Sequence, residues 1–500
     1  MKLILKLNRL LFTLGAMVLV WIAAVVGRAA EPAPLTGEDV LLEVLPEKSL
    51  PDLQAALERA MGQSSRVIAS LLDLDQARVG EKQARAPMLP YASLSGSLGV
   101  AQNKYDYDSY PIKDANGVTV VDANGNPKME PARSSSALVQ DLSYNAGLNQ
   151  PIYYWGALKK GYQSAQLQKA IASRNVEEIR RTLAIEIRRA YFSLISTVNG
   201  LDSEKATLAK MEEERDYLKK QAEGGFVTQS IADSADVRIK DYKLQMERSR
   251  NGFDAQWLSF CELTGLDRKS QPLVFPKEIP AVSKDLNPVL PGLASHSGQY
   301  IPANLANADD SIRVERLNYE IASTRLRPRF GLGLNASRGY HTPDTVVVFG
   351  GPYVVTNFGV STTVNWAIFD GFSTQAAKQS SLIRLRQQQR ARDQAQNDYE
   401  ETLKNNVTNL RMNWQTLQRS EEALTGARDS VAIIQKDFET GMVEKQKWDA
   451  AKTIADNSLM AANNARADYY LQIITYLSLR GKDPAVNLVV RTQSLDAPKK

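Results

Sequence analysis

The chain has 500 residues, 23% of them charged and 43% hydrophobic, with a mean hydropathy of −0.32, a balance that excludes both a polytopic helical membrane protein and a disordered chain. One cysteine, Cys261, excludes an internal disulfide, and two isolated histidines, His296 and His341, do not supply a zinc set. The formal charge of +5 falls close to neutrality once Lys2, Lys6, Arg9 and Arg28 of the acid-free first thirty residues are set aside, so the charge balance does not point to nucleic acid.

In chain order, the first predicted element is an address. Lys2, Lys6 and Arg9 precede an apolar run over 10–26, and Gly27-Arg28-Ala29-Ala30 follows, the pattern of a signal peptide over 1–30. The run is slightly long for such a core and slightly short for a membrane span, so a retained anchor is the alternative. No cysteine lies near the cut, and a lipoprotein is not expected. After an N-terminal segment, 31–50, residues 51–85 are rich in helix formers and predict one helix stopped by Pro87 and Pro90. A β-hairpin over 91–150 follows. Ala92, Leu94, Gly96, Leu98 and Val100 alternate with Ser93, Ser95, Ser97 and Gly99, and Leu138, Leu142, Tyr144, Ala146 and Leu148 alternate with Asp141, Ser143, Asn145, Gly147 and Asn149. Between them, the stretch DANGVTVVDANGNP carries two Asn-Gly turn signals and reads as a loop.

The period then changes to that of a helix. A long helix is expected over 157–222, with Leu183, Ile187, Ala190, Leu194, Thr197, Leu201, Glu204, Leu208, Met211, Arg215, Leu218 and Ala222 stepping alternately by four and three, a left-handed coiled-coil signal. At ~1.5 Å per residue such a helix is about 100 Å long. Gly224-Gly225 ends it and a return helix over 228–264 follows. Residues 266–303, rich in Pro and Ser, read as a connector. The same order then repeats over 304–481: helix, β-hairpin 330–366, long helix 372–439, Gly441, return helix 444–480, and a tail 482–500. Four strands of roughly ten residues are the only β-structure expected.

The second half is a copy of the first. Gly225-Phe226-Val227, Asp233 and Ala235 recur as Gly441-Met442-Val443, Asp449 and Ala451, an offset of 216 that also pairs Pro151-Ile152-Tyr153 with Ala367-Ile368-Phe369 and Gly265 with Gly481. A period this long means a duplicated domain rather than a solenoid. Each strand has one apolar and one Ser, Asn, Gly and Asp face, which suits a tilted transmembrane strand and equally a small soluble layer. Four strands cannot close a barrel, and an open edge does not survive in lipid, so membrane strands would have to be pooled from several copies; three copies give twelve.

The chain resembles the TolC-like outer-membrane efflux proteins from about residue 50 to 482. The resemblance rests on Ala84-Arg85-Ala86-Pro87-Met88-Leu89-Pro90, on Gln150-Pro151-Ile152-Tyr153-Tyr154-Trp155-Gly156 and its partner Ile368-Phe369-Asp370-Gly371, on the Gly-x-Val-x7-Ala stretches at Gly225 and Gly441, and on the closing ends at Gly265 and Gly481. It implies a mostly α fold with a small β part, duplicated coiled-coil hairpins and four transmembrane strands per chain. Three chains would then make a homotrimer with a twelve-stranded barrel above a helical tunnel. It also implies a passive exit duct of a tripartite efflux or type I secretion system, in the outer membrane and reaching into the periplasm. The implied partners are a periplasmic adaptor (membrane fusion protein), an inner-membrane RND or ABC transporter, and outer-membrane lipid. No cofactor and no catalytic residue is implied, in line with the lack of a Walker-type loop in the sequence.

Gly225, Val227, Gly441 and Val443 are then candidates for the periplasmic tip turns that meet an adaptor. The family's acidic constriction residues fall on Lys447 and Ala450, with Asp449 beside them. Lys447, Trp448 and Asp449 are therefore the constriction candidates, unless they only solvate a helix start. Tyr153, Tyr154, Trp155 and Trp366 are candidates for a membrane-interface girdle, or for packing between barrel and tube. Cys261 reads as a small buried apolar residue; His296, His341, Tyr105, Tyr107 and Tyr110 read as loop residues. A periplasmic coiled-coil adaptor is the rival function, but it would carry one hairpin between β-rich segments, not two long hairpins and four strands.

Overall fold

A computed structural model describes residues 41–267, 273–282, 300–342 and 352–487. The expected signal peptide, His296 and most of the tail lie outside the described residues. The described chain is mostly helical with a small sheet part. Its helices are α1 (Pro51–Gln63), α2 (Ser65–Arg85), α3 (Ala157–Glu223), α4 (Gln229–Thr264), α5 (Ala303–Ser323), α6 (Ser373–Glu439) and α7 (Lys445–Leu479). Its long strands are β1 (Tyr91–Tyr107), β2 (Arg133–Tyr153), β3 (Arg329–His341) and β4 (Tyr353–Asn365). The described residues form two compact units, one from those within 1–71, 175–305 and 394–500, the other from those within 72–174 and 306–393. Each draws on both sequence copies, so the units of the fold are not the units of the repeat.

In the second unit the four strands make one antiparallel sheet in the order β1-β2-β3-β4. The pairing of β2 with β3 joins the two copies. Register places Leu94 opposite Ala146, Ala146 opposite Ala336 and Ala336 opposite Phe358. Because side chains alternate with period two, every even-numbered apolar position of the four strands falls on one face. Leu94, Leu98, Phe358 and Val360 on that face are exposed, Phe358 by 83%. The other face carries hydroxyl and amide groups, and Ser97 and Ser143 hydrogen-bond across it at 2.8 Å.

Three expectations need correction here. The strands are 17, 21, 13 and 13 residues long rather than about ten, because β1 and β2 continue to pair beyond the alternating stretch, as far as Tyr107 opposite Arg133. The connecting loop also holds β-structure of its own, with Tyr110 opposite Glu130 and Pro111 opposite Met129. Its two Asp-Ala-Asn-Gly turns are alike: Asp114 Oδ1 accepts from the N–H of Asn116 and Val118 at 2.9 Å, and Asp122 Oδ1 from Asn124 and Asn126 at 3.0 Å. Finally, Tyr105 and Tyr107 belong to β1, and His341 closes β3 with Nδ1 2.6 Å from Asp141, so these are strand and not loop positions. The helical segments of this unit are joined by charged groups, including Lys169 to Glu81 at 2.9 Å, Lys160 to Glu320 at 3.1 Å, and Arg174 to Asp310 and Asn307.

The first unit holds the hydrophobic core. Leu53, Leu57, Leu183, Ile187, Tyr191, Phe260, Tyr469, Ile473, Tyr476 and Leu477 are buried together. The single helix expected over 51–85 is broken: Ser64 is extended (φ −62°, ψ 135°), and the turn at Gly265 lies so close that a Cβ there would come within 2.9 Å of the Gln63 carbonyl oxygen. Arg188 is fully buried and ion-pairs with Glu47 and, through two nitrogens at 2.6 and 2.9 Å, with Asp483. Burial opposes its charge, yet the two carboxylates hold its pKa above the ordinary value. The connector is not a free linker either. Asn463 takes the N–H of Ile279 and donates to the Lys277 carbonyl, Arg466 donates to Ile279 O at 2.7 Å, and Tyr470 donates to Pro280 O at 3.1 Å. These three side chains, spaced by three and four along α7, strap the connector to the core.

Candidate functional site

Below that core, α3 and α4 form the first hairpin. From 201 to 222 the covered positions of α3 include Leu201, Glu204, Leu208, Met211, Arg215, Leu218 and Ala222, the 3.5-residue seam. Its polar members face partners on α4. Ser249 Oγ donates to Glu204 at 2.9 Å, and Arg215 and Lys219 converge on Asp236, Lys219 at 2.8 Å. The hydrogen bond from Lys219 holds the Asp236 carboxyl below its usual pKa although burial opposes it.

The two hairpin turns have the same geometry. Phe226 N–H donates to Gln221 O at 2.9 Å and Gly225 N–H to Ala222 O at 3.1 Å; Met442 N–H donates to Asp437 O at 2.8 Å and Gly441 N–H to Phe438 O at 3.0 Å. Gly225 and Gly441 both have φ +75°, a left-handed conformation that closes a Schellman turn and disfavours a side chain. Val227 and Val443 are half-buried. Between each Gly and Val stand Phe226 and Met442, which no sequence motif marked as contact residues and which are exposed by 80% and 79%. A large apolar residue between the Gly and Val of both copies was the available signal.

The three constriction candidates separate. Lys447 is exposed on the first turn of α7, and Asp449 is half-buried. Trp448 stacks on Phe438 of its own hairpin at 5.5 Å between ring centroids, with Lys452 Nζ 5.7 Å from its ring centre. Its neighbour Lys445 reaches Glu213 of the first hairpin at 2.6 Å, and that carboxylate raises the amine's pKa.

In the sheet unit, the strand-to-helix junctions also match at the offset of 216. Trp155-Gly156 and Gly371-Phe372 each place two successive residues at positive φ: 54° and 77°, then 62° and 67°. A bulky residue there is strained and must be held. Trp155 Nε1 donates to Pro328 O at 2.7 Å, and its ring lies 4.9 Å from Tyr153. Phe372 meets Phe369 edge-on at 5.5 Å. The Thr374 hydroxyl and N–H both bond Asp370, which caps α6 and whose carboxyl is thereby held below its usual pKa. Trp366 Nε1 donates to Leu326 O at 3.0 Å, and Arg329 lies over the Tyr154 ring at 5.5 Å. Tyr153, Tyr154, Trp155 and Trp366 thus gather at one end of the sheet, together with Phe330.

Among the described residues there is no cluster of metal-binding side chains and no helix long and apolar enough to cross a membrane. A β-sheet with one exposed apolar face is a different route into lipid.

The sequence model of a family described as outer membrane efflux protein matches residues 56–265 and 303–479. Comparison with curated proteins gave no match. Among solved structures, the chain is similar to the CmeC outer membrane channel of Campylobacter jejuni (13% identity, 86% of each chain, TM-score 0.62). It is similar to a membrane protein from Pseudomonas aeruginosa (15% identity, 86% of this chain and 93% of that one, TM-score 0.60). The open MtrE outer membrane channel of Neisseria gonorrhoeae is a third (14% identity, 86% and 89%, TM-score 0.55).

Proposed function

The chain belongs to the outer membrane efflux protein family, and from that premise we propose how its parts make a duct. It is an outer-membrane channel reaching into the periplasm, and channels of this family work with an adaptor and an inner-membrane transporter in tripartite systems. The observation that carries the rest is the sheet: an apolar face turned outward and two edge strands, β1 and β4, with no partner among the described residues. Lipid offers such edges no hydrogen bonds, so β4 of one copy pairs with β1 of the next. Closure with three copies makes a twelve-stranded barrel wide enough to stay open, its Ser, Asn and Gly face inward. The protein is thus a homotrimer and a passive exit duct.

The tips at Gly225, Val227, Gly441 and Val443 meet the periplasmic adaptor, with Phe226 and Met442 as the apolar contacts. Lys447 and Asp449 line the narrow end, and Trp448 anchors their turn on Phe438. Tyr153, Tyr154, Trp155 and Trp366 sit at the periplasmic membrane interface. The transporter is of the RND or ABC class and supplies the energy. Two long hairpins with one shared sheet support the duct over a periplasmic adaptor, which needs no apolar face for lipid.

The test is the purified oligomer. A heat-modifiable trimer from outer-membrane fractions that conducts in planar bilayers is expected, and Lys447→Glu is expected to shift its ion selectivity toward cations. A soluble monomer would overturn the duct; unchanged selectivity would remove Lys447 from the constriction.

A further inference from the structure

The segment Arg325-Leu326-Arg327-Pro328-Arg329 brings three guanidinium groups to the start of β3. Two indoles pin it, Trp155 on the Pro328 carbonyl and Trp366 on the Leu326 carbonyl. The three arginines then differ. Arg325 acts on the Asp370 carboxylate. Arg329 lies over Tyr154. Arg327 is exposed, its guanidinium carbon 4.9 Å from the centre of the Trp155 ring, and it has no carboxylate partner among the described residues.

Trp155 packs edge-on against Tyr153, and Tyr153 lies beside Phe330 in register, so the apolar face begins directly at this cation. Farther along the same face a groove of about 550 Å³ is lined by Ala92, Ala146, Leu148, Leu334, Ala336 and Phe358. It exists because Ala146 and Ala336 stand opposite each other while their neighbours are long. From Phe330 to Ala336 the strand rises about 20 Å at ~3.3 Å per residue. With a tilt near 40° that is a depth of roughly 15 Å, the middle of a ~30 Å hydrocarbon layer.

A guanidinium stacked on an aromatic face keeps its in-plane N–H donors free for a phosphate, and it is weakly hydrated. A cation at headgroup level above an apolar groove ending at mid-bilayer has the two-part shape of one glycerophospholipid. We propose that Arg327 on Trp155, with the groove over Ala146 and Ala336, holds one anionic phospholipid of the periplasmic leaflet per chain, its phosphate on Arg327 and an acyl chain in the groove. This rests on the barrel orientation proposed above.

Native mass spectrometry of the detergent-purified, conducting trimer tests it, with phosphatidylglycerol, phosphatidylcholine or inorganic phosphate added in turn. The expected result is up to three retained phosphatidylglycerol molecules per trimer, favoured over phosphatidylcholine by about ten-fold, because both offer a phosphate but the choline cation of the latter neutralises its headgroup and repels Arg327. Arg327→Ala is expected to abolish that preference with conductance unchanged, and Arg327→Lys to keep part of it. Ala336→Leu, which fills the groove, is expected to weaken retention of both lipids while the Arg327 preference persists. A conducting trimer that holds both lipids alike, or whose Arg327→Ala variant keeps the preference, overturns the lipid site alone. Displacement of the lipid by inorganic phosphate overturns it in favour of a free-anion site. A chain that yields no conducting trimer overturns the barrel and the lipid site together.

Discussion

The two compact units bury their apolar residues in opposite senses. In the helical unit Leu183, Ile187, Phe260, Tyr469 and Ile474 turn inward, each at most 1% exposed, and the buried Arg188 and Arg466 are ion-paired. In the sheet unit Leu94, Leu98, Phe358 and Val360 turn outward. A buried apolar set is stable in water, whereas an exposed apolar sheet face is stable only against an apolar surrounding, which in the proposed barrel is lipid. A mean hydropathy of −0.32 is the average of these two regimes and describes neither.

The difference is most sharply broken at Arg188. Arg188→Ala leaves Glu47 and Asp483 buried without their cation and is expected to cost about 3–5 kcal/mol. Denaturant unfolding followed by helical circular dichroism should show it. The opposite perturbation is Leu94→Arg, on the exposed face in line with Ala146 and Ala336. It is expected to cost about 2–4 kcal/mol of membrane insertion per chain at that depth. Heat-modifiable trimer in outer-membrane fractions should fall, while the unfolding of the helical unit stays unchanged. If Leu94→Arg is inserted normally, the lipid-facing assignment of that face fails.

The smallest effect concerns acid. Asp236 has its pKa lowered in the folded chain from the ordinary 3.8, chiefly by Lys219. A depressed carboxylate adds stability above its unfolded pKa and loses it as the pH falls through the folded value. Lys219→Met should therefore remove this contribution above pH 3.8 and flatten the acid limb below it by the same amount, a small amount because both side chains are partly exposed and screened. An unaltered acid limb would show that the pair carries no linkage.

Legibility followed the range of the interaction. The alternation in the strands, the 3.5 step in α3 and the glycines at 225 and 441 depend on neighbours within a few residues, and each could be read in order. The break at Ser64 was not read from the sequence, and the segment it closes packs against the turn at Gly265, two hundred residues away. Arg188 is separated from Glu47 by 141 residues and from Asp483 by 295, and no local pattern marks either carboxylate as its partner. At the two hairpin turns the backbone was legible and the side chains were not: Val227 and Val443 are half-buried, whereas Phe226 and Met442 stay exposed. Trp448 was assigned with Lys447 and Asp449 by proximity in sequence, yet on a helix adjacent residues face different ways, and Trp448 turned to Phe438.

The duplication, the two periodicities and the left-handed turns were determined by the sequence alone, since each is a property of a short stretch of backbone and the side chains it carries. Tertiary structure decided which strand of one copy pairs with which of the other, that the connector is strapped to α7 by Asn463, Arg466 and Tyr470, and that Arg327 lies over Trp155 at the end of an apolar face with no carboxylate partner among the described residues. Those outcomes depend on contacts between residues far apart in the chain, and only packing brings such residues together.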